Sequence, residues 1–516
     1  MTAPEAAPPR TDRPGSPRRW LVRGLLLALA AAVAATPFAA AWQYETERRA
    51  VSAQAPAPGS RADARPPATA ARHASAPVVL AYHDIHPEAA GSYTLTPEQL
   101  DEQLAALAAA GYRSLSAEEF TRYLATGRPP APRSVYLTFD DGTRGLWAYA
   151  DRILAKHHMR ASAYLITGRV GTHRPYYLSW AEIDRMSGSG RWDFQAHSHL
   201  GHSRAPVEAG GRQGAVLANR LWLPERERLE TEAEYRARVT DDLDRNVRSF
   251  AVHGLPAPVL FAYPFSEASA PTNLTGRTTS ILEGLLRERF AATLTNTSSR
   301  PLPAGPRAAS AGLVQRLEVM RGTTTAALLE QVRAWTSRSP AEVPEPLRHP
   351  GQWRLRDAPP GTGLTALTGR GPARGTYVSA VHLPMATADW TTYRVEATAG
   401  RLSGPRTGVS VEVGHGSLHP CVVTVSAAGL RVTERPAGRT PRVTVRALDP
   451  AAGHRILIEV SPRSVLITVD GTTLTVRAAQ RPEPARTSGG IALAVRNESG
   501  DVETAWPRFT SLRLGA

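Results

Sequence analysis

The stretch S-V-Y-L-T-F-D-D-G at residues 134–142 decides the reading of this chain. Six residues with no charge among them (134–139) read as a strand buried on both faces, the mark of a parallel sheet covered by helices. Two aspartates and a glycine follow at once. Two adjacent carboxylates repel and raise each other's pKa, an expensive arrangement unless a cation neutralises it. Strand alternation sends neighbouring side chains in different directions, so one aspartate can bind a metal while the other stays free as a base. In α/β barrels the C-terminal strand ends are where active sites collect.

Outward from this point the same alternation repeats. A strand V-V-L-A-Y-H at 78–83 precedes it, and between the two Thr96-Pro97-Glu98-Gln99 and Ser116-Ala117-Glu118-Glu119 carry the N-cap, N1 and N3 residues of helix starts. After it come a helix to about 158, a strand 161–166, a capped helix from Ser179, a strand 193–198 and a long charged helix over 231–252. Strand 259–263, helix 281–289, strand 291–294, strand 313–319 and helix 324–335 complete the set. Strand–helix pairs in this order predict a mostly parallel sheet, closed into a distorted (β/α) barrel over 77–337. Beyond a Pro-rich stretch at 338–363 the helical period disappears. Short strands at 393–397, 408–413, 421–425, 430–434, 442–448, 455–460, 464–469, 472–478, 491–496 and 508–514 predict an all-β sandwich of jelly-roll type over 364–516, with Val469-Asp470-Gly471 as a hairpin turn.

The N-terminal region is of another kind. Residues 1–23 are polar and basic, and 24–42 (GLLLALAAAVAATPFAAAW) carry no charge. Such a run is long enough to span a bilayer of about 30 Å, with Arg23 on the cytoplasmic side. We expect a single-pass signal anchor, with the rest of the chain outside the cytoplasm; cleavage in the small-residue run 38–41, releasing a secreted protein, is the alternative. Residues 43–76 have almost no large apolar side chains and read as a disordered tether.

Composition narrows the function classes. The 516 residues carry a formal charge of +15, nearly all of it arginine, since Lys156 is the one lysine. The arginines are scattered, whereas nucleic-acid binding needs a clustered patch, so no nucleic-acid partner is expected. Cys421 is the sole cysteine, which excludes a disulfide framework, a Cys-type zinc site, a thiol relay and a lipoprotein anchor.

The second chemical signal is A-H-S-H-L-G-H at 196–202, again leaving a strand. Imidazole is the commonest biological metal ligand, and two histidines with one carboxylate leave an open position for water. Spacing alone leaves open whether His199 or His202 joins His197. A third candidate is His83, in Tyr82-His83-Asp84-Ile85-His86 at the end of the first strand. Trp180, with Tyr176 and Tyr177 before it, suits either a sugar-stacking platform or a hydrophobic cap. Trp390, Tyr393 and Trp506 suit the sandwich core or a sugar site.

Together the Thr138-Phe139-Asp140-Asp141-Gly142 string and the following His-Ser…His resemble the polysaccharide deacetylases, the carbohydrate esterase family with the NodB-type domain, over about 76–337. The His197-Ser-x-x-x-His202 spacing, the Tyr82-His83-Asp84-Ile85 start, the stretch 227–246 and Phe261-Ala262-Tyr263-Pro264-Phe265 resemble the poly-β-1,6-N-acetylglucosamine N-deacetylases of biofilm matrices. The resemblance implies that Asp141, His197 and His202 hold a divalent metal: zinc, with cobalt, nickel or iron as alternatives. It implies Asp140 as the catalytic base, His83 as the general acid and the Phe265 backbone N–H as an oxyanion donor, with Ser266 in place of the expected glycine. The arginine of the family's third motif is absent at Phe261-Ala262, and no Leu-x-x-His motif stands near 320. The implied activity is hydrolysis of acetamide C–N bonds on an extracellular N-acetylglucosamine polymer. Peptidoglycan, chitin or an O-acetylated polysaccharide are alternative substrates, and an inactive polysaccharide-binding protein is the alternative from another class. The sandwich resembles concanavalin-like modules appended to carbohydrate enzymes, which implies carbohydrate binding.

Overall fold

The computed structural model describes residues 76–516 apart from 89–90, 129–130, 267–271, 277–279, 298–301, 337–339, 341–342, 359–362, 370–375, 384, 389, 418, 437–439, 478–488 and 500–505. The expected basic tail, membrane span 24–42 and all but the last residue of the tether lie outside the described residues. Among the described residues no helix is long and apolar enough to cross a membrane.

The barrel strands are β1 (Val78–Tyr82), β2 (Ser134–Phe139), β3 (Ala161–Leu165), β4 (Trp192–Ala196), β5 (Leu260–Ala262), β6 (Ala292–Thr295), β7 (Val314–Gln315) and β8 (Leu317–Glu318). They are parallel and lie in the order β7-β6-β5-β4-β3-β2-β1-β8. Because β7 pairs with β6 and β8 with β1, the continuous run 314–318 changes partner at Arg316 and closes the ring. The strand expected at 313–319 is therefore two short pieces, each bonded to a different neighbour. The loosest seam is β4–β5, with the single register pair Phe261↔Ala196. Side chains seal it: Gln195 Oε1 accepts from Val259 N and Leu260 N at 2.9 Å each.

The helices are α1 (Pro97–Ala109), α2 (Ala117–Thr126), α3 (Asp151–Lys156), α4 (Trp180–Gly188), α5 (Glu232–Val252), α6 (Ile281–Arg287), α7 (Pro306–Ser310) and α8 (Thr325–Trp335). The sequence signals for their starts hold in atomic detail. Thr96/Gln99, Ser116/Glu119, Ser179/Glu182 and Thr231/Glu234 each make both halves of a capping box, satisfying backbone N–H groups that a helix start leaves unpaired.

Alternation along β2 sorts its side chains. Val135, Leu137 and Phe139 pack outward with Leu100, Leu104 and Leu107 of α1. Tyr136 points inward and packs with Tyr164, Leu260 and Phe120 of α2. Tyr136 stacks on Phe120 at 4.2 Å and hydrogen-bonds Ser162 Oγ at 2.8 Å, so α2 plugs one end of the barrel. The other end, where β2 releases Asp140, remains for chemistry.

The C-terminal region forms two antiparallel sheets. One contains β9 (Trp353–Leu355), β10 (Tyr377–His382), β12 (Thr407–Val413), β13 (Cys421–Ser426), β14 (Gly429–Glu434), β15 (Arg442–Ala447) and β19 (Ile491–Asn497), ordered β9-β10-β19-β12-β13-β14-β15. The other contains β11 (Tyr393–Gly400), β16 (Gly453–Val460), β17 (Ser464–Val469), β18 (Thr472–Arg477) and β20 (Arg508–Gly515), ordered β18-β17-β16-β11-β20. Both contribute to one apolar cluster that includes Val395, Ile458, Val411 and Leu493. β9 falls inside the Pro-rich stretch 338–363, so part of that stretch belongs to the sheet: Trp353 pairs with His382 and packs on the core. Trp390 and Tyr393 are core residues. Trp506 packs beside them and donates to Ala366 O at 2.8 Å.

Candidate active site

β2 ends at Phe139 and the two aspartates diverge. Asp140 is buried, and Arg316 grips it with two parallel bonds, Nη1 to Oδ1 at 2.7 Å and Nη2 to Oδ2 at 2.6 Å. Asp141 adopts a left-handed backbone, φ 70°, which turns its carboxylate away from its neighbour. Gly142 follows at φ 72°, where only glycine is free of strain. This turn separates the two carboxylates further than strand alternation alone would.

Asp141 Oδ1 lies 3.5 Å from His197 Nε2 and 3.4 Å from His202 Nε2. The three ligand atoms are all within 4.8 Å of one another, the one such cluster of His, Cys, Asp or Glu among the described residues. His199 is not in it: its Nδ1 meets Thr167 Oγ1 at 3.0 Å. The triad fits a divalent metal on three observations. Bonds of 2.0–2.1 Å in a tetrahedral site put ligand atoms about 3.3 Å apart, close to the two separations between Asp141 and the histidines. Asp141 Oδ1 is buried with no hydrogen-bond donor, a costly state for an anion without a cation. His197 Nδ1 is 2.8 Å from Ala262 O; it donates there, which leaves Nε2 as the free acceptor a metal needs. This bond also crosses the β4–β5 seam.

The electrostatics separate the roles. Burial pushes the Asp140 carboxyl up, but the Arg316 charge outweighs it and holds the group well below the usual carboxylate range. Burial, the largest cause, pushes His202 down to about 4, so its imidazole is neutral near pH 7.

His83 leaves β1 and places Nε2 3.9 Å from Asp140 Oδ2, with Tyr93 against its ring at 4.7 Å. Phe265 packs beside the ligand cluster, its ring 4.4 Å from His202 and covered by the Arg204 guanidinium at 4.4 Å. Its φ of 56° is left-handed. Tyr177 bridges to Thr143, just after the aspartates, and Tyr176 meets its ring edge-on at 4.8 Å. Burial, then the Asp141 charge, raises both phenols above the usual range. The sequence also offered Trp180 as part of a sugar platform. The structure instead stacks its indole on His253 at 3.8 Å and packs it against the apolar layer outside β2, so it is the hydrophobic cap.

Sequence reading missed Arg316, which supplies the arginine absent at Phe261-Ala262. Its Nε also donates to Asn296 Oδ1 at 2.8 Å and its guanidinium lies 5.8 Å from the Tyr164 ring. The available signal was a full positive charge in the middle of the strand-like run L-V-Q-R-L-E-V at 313–319, which a buried parallel strand tolerates only when paired. Asn296 is engaged here and on Glu318 at 2.7 Å.

Comparison with known proteins places this geometry. Residues 127–280 match the family described as polysaccharide deacetylase. A poly-β-1,6-N-acetyl-D-glucosamine N-deacetylase of Staphylococcus epidermidis is 33% identical over 115 residues, 22% of this chain and 39% of that protein. One from Escherichia coli K12 is 25% identical over 207 residues, 37% of this chain and 31% of that protein. The chain thus spans well under half the length of these curated relatives. IcaB from Ammonifex degensii is a solved structure similar to 51% of this chain and 98% of its own, at 22% identity and a TM-score of 0.39.

Proposed function

We propose, from the match of residues 127–280 to the polysaccharide deacetylase family, that this protein is a metal-dependent N-deacetylase of an N-acetylglucosamine polymer of the poly-β-1,6-linked kind. One observation carries the reading: adjacent aspartates are split between an arginine clamp and a two-histidine cluster. That arrangement gives one base and one ligand site a residue apart.

Asp141, His197 and His202 would hold the metal, zinc being the first expectation, which when bound lowers the pKa of its water toward ~7 and polarises the acetamide oxygen. Asp140, kept ionised by Arg316, accepts the proton of the attacking water. Arg316 also fixes the carboxylate's orientation, because both its oxygens are engaged. The Phe265 backbone N–H is assigned to the oxyanion, a donor worth about 3–4 kcal/mol in such sites. His83, 3.9 Å from Asp140, gives a proton to the leaving amine nitrogen. Acetate and a free amino sugar result. Tyr177 and Tyr176 offer ring surface to the sugar at the site's edge.

We place the domain outside the cytoplasm on a single-pass anchor, on the strength of the uncharged run 24–42 after Arg23. The sandwich is assigned to polymer binding. The open face of its five-stranded sheet supports this, with a groove lined by Glu396, Thr398, Arg455, Thr468, Ser511 and Arg513. The deciding experiment measures acetate release from β-1,6 and β-1,4 N-acetylglucosamine oligomers with added zinc, cobalt or nickel, for wild type and Asp140→Asn. We expect metal-dependent release, favouring the β-1,6 oligomers, that Asp140→Asn abolishes. Equal release by both proteins would sink the mechanism.

A further inference from the structure

The turn 197–202 carries two of the three ligand-cluster histidines, yet it belongs to no strand or helix. Its backbone polar groups therefore need partners from elsewhere. Two of them come from one helix. Asp242 of α5 accepts from His199 N at 3.0 Å through Oδ2 and from Leu200 N at 2.7 Å through Oδ1. One turn further along α5, the buried Asn246 donates through Nδ2 to the Ser198 carbonyl, which also takes Thr167 N at 3.2 Å.

These bonds bracket a strained point. Ser198 has φ 72°, a left-handed conformation that costs a non-glycine residue about 1–2 kcal/mol and persists only where its surroundings over-determine it. The strain has a use: the chain leaves β4 with His197 aimed at Asp141, reverses at Ser198, and returns to aim His202 at the same oxygen. With an ordinary extended serine, His199 would continue along the strand and His202 would be carried off. The far side of the turn is equally confined, since a Cβ on Gly201 would lie 2.6 Å from Leu217 Cδ2.

We propose that Asp242, with Asn246, is a positioning residue whose paired grip on the turn 197–202 sets the spacing of the metal-ligand triad. Neither touches the ligand atoms. Asp242 acts through two charge-assisted bonds to consecutive N–H groups, and Asn246 through the carbonyl of the strained residue itself. The inference rests on reading Asp141, His197 and His202 as a metal site.

The test uses the full chain. Zinc affinity of wild type, Asp242→Ala, Asn246→Ala and Asp241→Ala is measured by chelator competition, and the visible spectrum of each cobalt-loaded protein is recorded. Asp241, the preceding residue on α5, pairs with Arg245 at the surface at 2.9 Å and serves as the control. We expect Asp242→Ala to weaken zinc binding about 10–100-fold, the usual effect of removing an outer partner of a metal ligand, and to shift the cobalt bands. Asp241→Ala leaves both unchanged. Unchanged affinity and bands in Asp242→Ala overturn the proposal. Should that variant fail to fold, Asp242→Asn, which keeps the shape but only one acceptor oxygen, carries the same two readouts. If wild type binds no metal, the metal reading falls by itself. The grip is then judged by amide exchange of His199 and Leu200: faster exchange in Asp242→Asn supports it, and unchanged protection overturns it.

Discussion

Replacing Arg316 by methionine tests how the candidate base is held. Methionine keeps much of the side-chain length and removes the charge with four hydrogen bonds: two to Asp140, one to Asn296 Oδ1 and one to Thr138 Oγ1 at 3.2 Å. Both Arg316 and Asp140 are buried, so the variant leaves a buried carboxylate without its guanidinium partner. Breaking a buried pair on one side costs about 3–5 kcal/mol. At about 2–4 °C per kcal/mol for a domain of this size, the unfolding transition should fall by about 6–20 °C in scanning calorimetry. Asp140→Asn removes the orphaned charge, so the double variant should recover about 2–3 kcal/mol relative to Arg316→Met, the coupling expected of contacting residues. A double variant no more stable than Arg316→Met would refute the argument that charge, rather than lost packing, sets the penalty.

His202→Ala should leave the protein folded and lose its metal on dialysis, read by elemental analysis beside circular dichroism, because its ring is partly exposed at the site's edge. Tyr177→Ala should raise KM for oligomers with little change in thermal stability. Trp180→Ala should do the reverse, since its indole stacks on His253 and caps the apolar layer; steady-state kinetics and calorimetry on both separate the roles. Burial, with Glu434 and Glu412 nearby, pushes the Cys421 thiol up to about 12. At pH 8 its thiolate fraction is on the order of 10⁻⁴, so iodoacetamide should label it only after denaturation, and labelling of folded protein at pH 8 would contradict the buried assignment.

The parts of the site legible in the sequence are those made by neighbours. Asp140 and Asp141 announce themselves because a strand end must separate two like charges, and both halves of that event lie within three residues. The capping boxes at Thr96, Ser116, Ser179 and Thr231 are equally local: each closes over three residues, so no tertiary knowledge is needed. His202 over His199 was not decidable this way. The choice depends on the left-handed Ser198, and that conformation depends on Asp242 and Asn246, more than forty positions on. Arg316 is the extreme case. It meets Asp140 across 176 positions, and it does so only because the run 314–318 switches partner from β6 to β1 at that residue. Closure of the barrel and protection of the base are thus one structural event. A strand bonded to one neighbour along its whole length would have no reason to break there. Arg316 N makes the last ladder bond to β6, to Thr295 O at 2.9 Å, while its side chain reaches Asp140. A charge in the middle of a buried parallel strand should therefore be read as a pointer across the barrel, toward whichever strand end carries an unpaired carboxylate.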